Sequence, residues 1–186
     1  MGTRNVTVIK YEGKERVRQY GQWDGYPTAA LASIVNFLNT DGAIEKLKAN
    51  LPKIKLIPEE YSIYPMEFDE ICKAYYQIGY VRGIEALKNA LAEKTGFSKN
   101  VIFKYLLATR DTGYQIPDVL IMEEADNAED IVLQKTYTDK VDWQIEAVNV
   151  IDLDRNTIRS YWHDRMTEWS FDKLPDETEI EVFERI

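Results

Sequence analysis

The sequence predicts an α+β fold, with a mainly antiparallel sheet built from an N-terminal hairpin and C-terminal strands and packed by a central helical segment. The first 20 residues and the last third of the chain are rich in β-branched and aromatic residues, which favour strands. The residues between them carry apolar side chains at helical spacing, and such segregation is typical of α+β proteins. A chain of 186 residues has the size of one ordinary domain, so we expect a single domain over residues 1–186.

The N-terminal residues predict a hairpin. Strands are expected from Asn5 to Lys10 and from Arg16 to Tyr20, and Gly13 suits the turn between them. Residues 21–27 then contain two glycines and a proline. We expect a loop there.

The middle of the chain predicts helices. Apolar residues at helical spacing and a following Asn-Thr-Asp-Gly stop indicate a helix from Thr28 to Leu38. Leu51 to Pro65 holds three prolines and suggests an irregular segment. Further helices are expected at Ala43–Ala49, Phe68–Tyr75, Ile84–Leu91, Ser98–Leu106 and Ile116–Met122.

The last third predicts strands. The acidic residues from Glu123 to Asp130 are expected to form a solvated loop. Strands are expected at Ile131–Tyr137, Gln144–Leu153 and Thr157–Trp162, with a turn at Asp154–Asn156 and a loop or short element at Trp169–Leu174. Glu179 to Glu184 alternates polar and apolar residues, which predicts a final strand with one wet face.

Charge and composition exclude several classes of function. The chain carries 23 Lys and Arg against 32 Asp and Glu, a formal net charge of −9, which argues against non-specific binding to nucleic acids or anionic membranes. Cys72 is the single cysteine and His163 the single histidine, so we expect no disulfide, no metal site and no cofactor. No apolar stretch reaches the length of a membrane span and no signal peptide is evident, which predicts a cytoplasmic protein.

The loop after the hairpin carries the side chains of a polar ligand pocket. It places an amide, an indole, a carboxylate and a phenol on one turn, at Gln22, Trp23, Asp24 and Tyr26. Planar rings stack on a ligand and directional polar groups orient it. The alternative is a structural loop in which the rings plug the sheet edge and Asp24 caps the next helix.

Two arginines are candidates for the same site. Arg4 opens the first strand and is therefore expected to lie beside Asp24 at the same end of the sheet. Arg110 and Asp111 lie in a Thr-Arg-Asp-Thr-Gly sequence, where Arg110 supplies a fork for a carboxylate or phosphate. The alternatives are a structural Arg4–Asp24 ion pair and a helix-capping role for residues 109–113.

Four segments resemble, in the same order, a family of uncharacterised proteins of bacteria and phages. They are Gly2–Asn5, Tyr20–Pro27, Thr109–Gly113 and Val150–Asp154, of which the octapeptide Tyr20–Pro27 is the specific one. In that family the proline is usually followed by a Gly-Gln-Gly-like segment, whereas Thr28-Ala29-Ala30 follows here. The resemblance implies positions for a site and no reaction. The N-terminus is also distantly similar to N-terminal nucleophile hydrolases.

These observations lead to one hypothesis and two alternatives. The hypothesis is a non-catalytic binding protein whose pocket holds a small, nucleotide-like ligand, and the resemblance to phage proteins implies counter-defence by sequestration. The first alternative is an amide hydrolase in which the Thr3 hydroxyl attacks, the freed α-amine of Thr3 acts as the base, and Arg4, Asn5 and Asp24 orient the groups. The second is an acidic inhibitor of a host protein that uses residues 123–130. The predicted pocket residues are Arg4, Gln22, Trp23, Asp24, Tyr26, Arg110 and Asp111.

Overall fold

The computed structural model describes residues 2–21, 23–57, 113–127, 131–134 and 145–185, and it shows the predicted α+β fold. Five strands form one sheet in the order β2-β1-β5-β6-β7, in which only the β1–β5 pair is parallel. The N-terminal hairpin therefore joins the C-terminal strands in one sheet, as the sequence predicts. These strands are β1 Asn5–Tyr11, β2 Lys14–Gly21, β5 Ala147–Asp152, β6 Thr157–Trp162 and β7 Arg165–Ser170.

The remaining described elements are short. A second sheet consists of β3 and β4, which pair in parallel. The predicted helices at Thr28–Leu38, Ala43–Ala49 and Ile116–Met122 are confirmed within a few residues. The elements are β3 Ile54–Ile57, β4 Ile131–Gln134, α1 Ala30–Leu38, α2 Ala43–Asn50, α3 Ile116–Leu120, α4 Glu123–Asp126 and α5 Glu177–Arg185.

The main core lies between one face of the five-stranded sheet and the helices. Ile9 and Ile151 from the sheet and Leu31 and Ile34 from α1 belong to one cluster of fully buried side chains. The opposite face of the sheet carries a smaller cluster around Val8. Alternation along each strand separates the two faces, because successive side chains point to opposite sides of a sheet.

The prediction of a strand at Glu179–Glu184 is wrong, because these residues belong to helix α5. A reciprocal capping box begins the helix. Glu179 N–H donates to Asp176 Oδ1 at 2.8 Å, and Asp176 N–H donates to Glu179 Oε2 at 3.0 Å. Ile180 and Phe183, three residues apart, share the buried face, while Val182 is exposed. A six-residue alternation is too short to outweigh these helical signals.

Strand β7 was not predicted, and it includes Trp169 and Ser170. The loop or short element expected at Trp169–Leu174 contains a short element, the 3₁₀ turn Phe171–Lys173. A tight turn at His163 and Asp164 joins β6 to β7, and His163 adopts a φ of 53°. Tight hairpin turns are usually recognised by a glycine or asparagine at such left-handed positions, so a turn that uses histidine is not evident from the sequence. The strand is also not apolar on alternate positions, so it depends on pairing with β6.

Two further predictions need correction. Residues 51–57 form a 3₁₀ turn and strand β3 rather than an irregular segment. The first half of the acidic run forms the short helix α4 and is not a free loop. Asp126 is held within the chain, because Asn50 Nδ2 donates to its Oδ1 at 2.7 Å and Lys46 Nζ lies 3.8 Å from its Oδ2. These contacts partly offset the repulsion between neighbouring carboxylates at Asp126.

Several predictions lie outside the described residues. They concern Cys72 and the helices at Phe68–Tyr75, Ile84–Leu91 and Ser98–Leu106. Within the described part of the chain, no helix combines the length and apolar character of a membrane span.

Candidate functional site

The loop between β2 and α1 is fastened to the end of the sheet. Gly25 N–H donates to Thr3 O at 3.1 Å, and Asn5 Nδ2 donates to Trp23 O at 3.1 Å. The backbone of the loop packs closely on the residues just before β1, since a Cβ at Gly25 would lie only 2.9 Å from Thr3 O. The opening residues and the aromatic loop therefore meet at one end of the sheet, which is the arrangement that the sequence predicts around Arg4.

The loop presents two large aromatic side chains to solvent. Trp23 is 59% exposed and Tyr26 is 46% exposed. The Tyr26 ring lies 5.9 Å from the ring of Trp162, which in turn lies 4.3 Å from the ring of His163. A row of aromatic rings thus extends from the exposed loop, through the buried ring of Trp162, to the turn between β6 and β7.

The mid-chain segment reaches the same place. Gly113 adopts a φ of 37° and lies so close to Asn5 that a Cβ would stand 2.5 Å from Asn5 Oδ1 and 2.8 Å from Gly21 Cα. Burial, and secondly the negative charge of Asp24, raise the pKa of the neighbouring Tyr114. Asp24 of the loop therefore interacts electrostatically with Tyr114 of the mid-chain segment.

Glu146 connects this end of the sheet across strands. Its carboxylate accepts a hydrogen bond from Arg4 N–H at 2.8 Å, and its carbonyl accepts one from His163 N–H at 2.8 Å. A second carboxylate, Glu184 of α5, accepts from Thr28 N–H at 2.8 Å. The Glu146 carboxylate thus holds the residue before β1 and the Glu184 carboxylate holds the loop. The Glu146 carbonyl holds the turn between β6 and β7.

A buried polar row crosses the helix-facing side of the sheet below the loop. The strand registers place Gln19, Thr7, Asn149 and Ser160 side by side, and each is at most 2% exposed. Ser160 Oγ donates to Asn149 Oδ1 at 2.8 Å. In contrast, Thr7 Oγ1 and Asn5 Oδ1 are buried without a hydrogen-bond partner, which is uncommon in folded proteins.

This polar row is not among the features predicted from the sequence. Thr7, Asn149 and Ser160 each occupy an inward position of a strand that was predicted from its apolar neighbours. The signal that could have revealed the row is the presence of polar residues at strand positions where the alternation predicts apolar ones. Asn5 was noted only as part of a motif, and its contact with Gly113 depends on tertiary structure.

The structure places four of the seven predicted site residues. Trp23, Asp24 and Tyr26 lie on the loop, and Arg4 lies beside its anchor at Thr3. The remaining three, Gln22, Arg110 and Asp111, lie outside the described residues. The suggestion that Asp24 caps α1 is wrong, because the N-cap position is Ala29 and no side chain caps it.

Comparisons with protein-family models, curated proteins and solved structures find no match to this chain. The described residues also contain no group of three or more His, Cys, Asp or Glu placed to hold a metal ion. The side chains of the site itself are therefore the basis for inferring what it binds.

Proposed function

We propose that the protein is a non-catalytic binding protein for a small, planar, nucleotide-like ligand at the end of the sheet that carries the aromatic loop. One observation carries this proposal: Trp23 and Tyr26 are exposed by 59% and 46% on a loop whose backbone is fixed to the sheet. Large exposed rings held in position at the surface give up hydrophobic stabilisation, and their free faces are available to stack on a planar ligand.

Polar groups around the rings supply direction and charge. Arg4 lies at the anchored end of the loop, and Arg110 precedes Gly113 by three residues in the chain. Two guanidinium groups suit the phosphate of a nucleotide, while the rings stack on its base. Gln22, Asp24 and Asp111 are the groups that orient the ligand.

Local arginines bind an anion despite the net charge of −9, because close donors outweigh the screened field of distant carboxylates. We place the protein in the cytoplasm, where it sequesters a host signalling nucleotide as a phage counter-defence protein.

The experiment is calorimetric titration and thermal-shift screening of the purified protein against mononucleotides, dinucleotides and cyclic nucleotides. A binding nucleotide should lose at least about fivefold in affinity in Trp23→Ala, because stacking on one base contributes about 1–3 kcal/mol. Arg110→Ala should weaken phosphate-bearing ligands and spare the free nucleoside.

Lys10→Ala is the control, since Lys10 is exposed and lies at the end of β1 remote from the aromatic loop. It should leave the affinity unchanged. A screen in which no nucleotide binds, or one in which Trp23→Ala and Lys10→Ala behave alike, would overturn the proposal.

The hydrolase alternative makes a separate demand on the chain. Thr3 is 7% exposed and its carbonyl holds the loop through Gly25, so it lies at the same site. Catalysis through its own amine requires cleavage directly before Thr3. Mass spectrometry of the protein isolated from its native host shows whether that cleavage occurs.

The acidic-inhibitor alternative makes a different prediction. Replacing the carboxylates of residues 123–130 by positively charged residues should abolish binding of the partner protein.

A further inference from the structure

Among the residues that the structure describes, strand β7 lies at an edge of the five-stranded sheet and carries two charged residues, Arg165 and Glu168, fewer than the opposite edge. Its register with β6 is unbroken from Arg165 to Ser170, and the strand contains no proline, lysine or glycine. Regular edges of this kind pair readily with another strand, because their outward backbone groups are available.

The opposite edge, β2, is protected. Its first five residues include Lys14, Glu15, Arg16 and Arg18, and a shift in register interrupts its pairing with β1. Charged side chains and irregular register are both common devices against edge-to-edge association. The sheet therefore has one edge suited to remaining free and one suited to pairing.

Exposed apolar side chains lie beside the β7 edge. A groove of about 650 Å³ runs between β7 and α5, and its lining includes Met166, Thr167, Trp169 and Val182. Met166 is 54% exposed and Val182 49%. Among the described residues, the large exposed hydrophobic side chains are these two and the two rings of the aromatic loop.

We propose that β7 is the interface of a two-fold homodimer, in which it pairs antiparallel with β7 of a second copy and joins the two sheets into one. A two-fold contact requires a self-complementary surface. The groove meets this requirement, since Arg165 and Glu179 both line it and give one cation and one carboxylate per copy.

Charge also selects the register of the pair. An axis through Thr167 places Thr167 opposite the partner's Thr167, Arg165 opposite the partner's Trp169 and Met166 opposite the partner's Glu168. No like charges then face each other. An axis through Glu168 would oppose two carboxylates, which is unfavourable in a cross-strand pair. The Arg165–Trp169 pairing adds a cation–π contact.

Cross-linking tests the register directly. Cys72→Ser removes the only cysteine of the chain, and Thr167→Cys on that background places two thiols across the axis. Opposed residues of antiparallel strands have Cα atoms about 4.5–5.5 Å apart, which suits a disulfide. Mild oxidation should give a covalent species of twice the 21.7 kDa chain mass. Glu168→Cys is the matched control and should remain uncross-linked, because it faces Met166.

Sedimentation velocity over a range of concentrations tests the dimer itself. The wild-type protein should reach twice the chain mass, and Met166→Lys should weaken dimerisation by at least about tenfold. Ala49→Lys adds the same charge at an exposed position of α2 and should leave the dimer unchanged; circular dichroism shows that each variant is folded. A wild-type protein that stays monomeric, a dimer that Met166→Lys leaves intact, or cross-linking at 168 in place of 167 would each overturn the proposal.

Discussion

Gly113 lies directly against the side chain of Asn5, although the two residues are far apart in the chain. A Cβ at position 113 would stand 2.5 Å from Asn5 Oδ1. Through this contact, the residues that follow the Thr-Arg-Asp-Thr sequence meet the first strand of the sheet. The contact also fixes Asn5, whose Nδ2 donates to Trp23 O at 3.1 Å and thereby holds the aromatic loop.

Gly113→Ala should strongly destabilise the fold. The substitution combines a left-handed φ of 37° with a clash against the polar group and backbone of a packed strand, and we expect a loss of about 2–4 kcal/mol. Urea unfolding measures it. Gly42→Ala is the control, because Gly42 has a φ of 73° and no atom within 4 Å of its missing Cβ. It should lose only about 1 kcal/mol. Equal losses at both positions would contradict the close packing.

Thr7→Val should stabilise the protein. Thr7 Oγ1 is buried without a hydrogen-bond partner, so replacing the hydroxyl by a methyl group of similar size removes a desolvation penalty of about 1–3 kcal/mol. Thermal unfolding followed by circular dichroism checks this. Ser160→Ala is the counterpart in the same polar row and should destabilise, because Ser160 Oγ donates to Asn149 Oδ1 at 2.8 Å. A lower melting temperature for Thr7→Val would mean that its hydroxyl binds a water or ligand.

Asp24→Asn should lower the pKa of Tyr114. Burial is the larger cause of the raised pKa and the charge of Asp24 the second, so the pKa should move toward 10 without reaching it. The phenol stabilises the fold fully below the unfolded pKa near 10, and this contribution is lost as pH rises through the folded pKa. Absorbance titration at 295 nm, taken as the difference from Tyr114→Phe, follows the group. Asp154→Asn, at the far end of β1, should leave the titration unchanged.

Asp154→Asn should reduce the acid sensitivity of the fold. The backbone amides of Gly13 and Glu12 donate to its two carboxylate oxygens at 2.8 and 2.9 Å and lower the pKa of Asp154 below 3.8. A lowered pKa contributes stability above the unfolded value, and that stability disappears as pH falls through the folded value. Melting temperature measured from pH 7 to pH 2 should therefore fall less in the variant than in the wild type. If the melting temperatures of variant and wild type fell in parallel, the hydrogen bonds between Asp154 and the β1–β2 turn would not contribute to the acid sensitivity.

Regular strands could be predicted where local signals agree. The N-terminal hairpin and strands β5 and β6 have β-branched residues and recognisable turn residues, and the structure confirms them. Strand β7 was missed because its inward residues, Arg165, Thr167 and Trp169, do not form an apolar row, and its existence depends on a neighbouring strand. Helix α5 was predicted as a strand because only the short alternation was considered and the capping box at Asp176 and Glu179 was not recognised.

The candidate site could be predicted only in part. Residue types identified the aromatic loop, and the topology of a hairpin placed Arg4 near it. The contact between Asn5 and Gly113 and the buried row around Thr7 could not be found in this way, because both arise when strands that are distant in sequence become neighbours. The positions of Gln22, Arg110 and Asp111 in the site stay predictions.

The parallel pairing of β1 with β5 has a consequence for how the chain is made. Asn5 pairs with Gly21 on one side and with Ala147 on the other, so the hairpin is complete long before the second neighbour leaves the ribosome. During that interval β1 is itself an edge, with Val6 and Val8 available to the wrong partner. Sheet closure must then await nearly the whole polypeptide, which favours slow folding and makes the nascent hairpin the stage at which chaperone protection matters most.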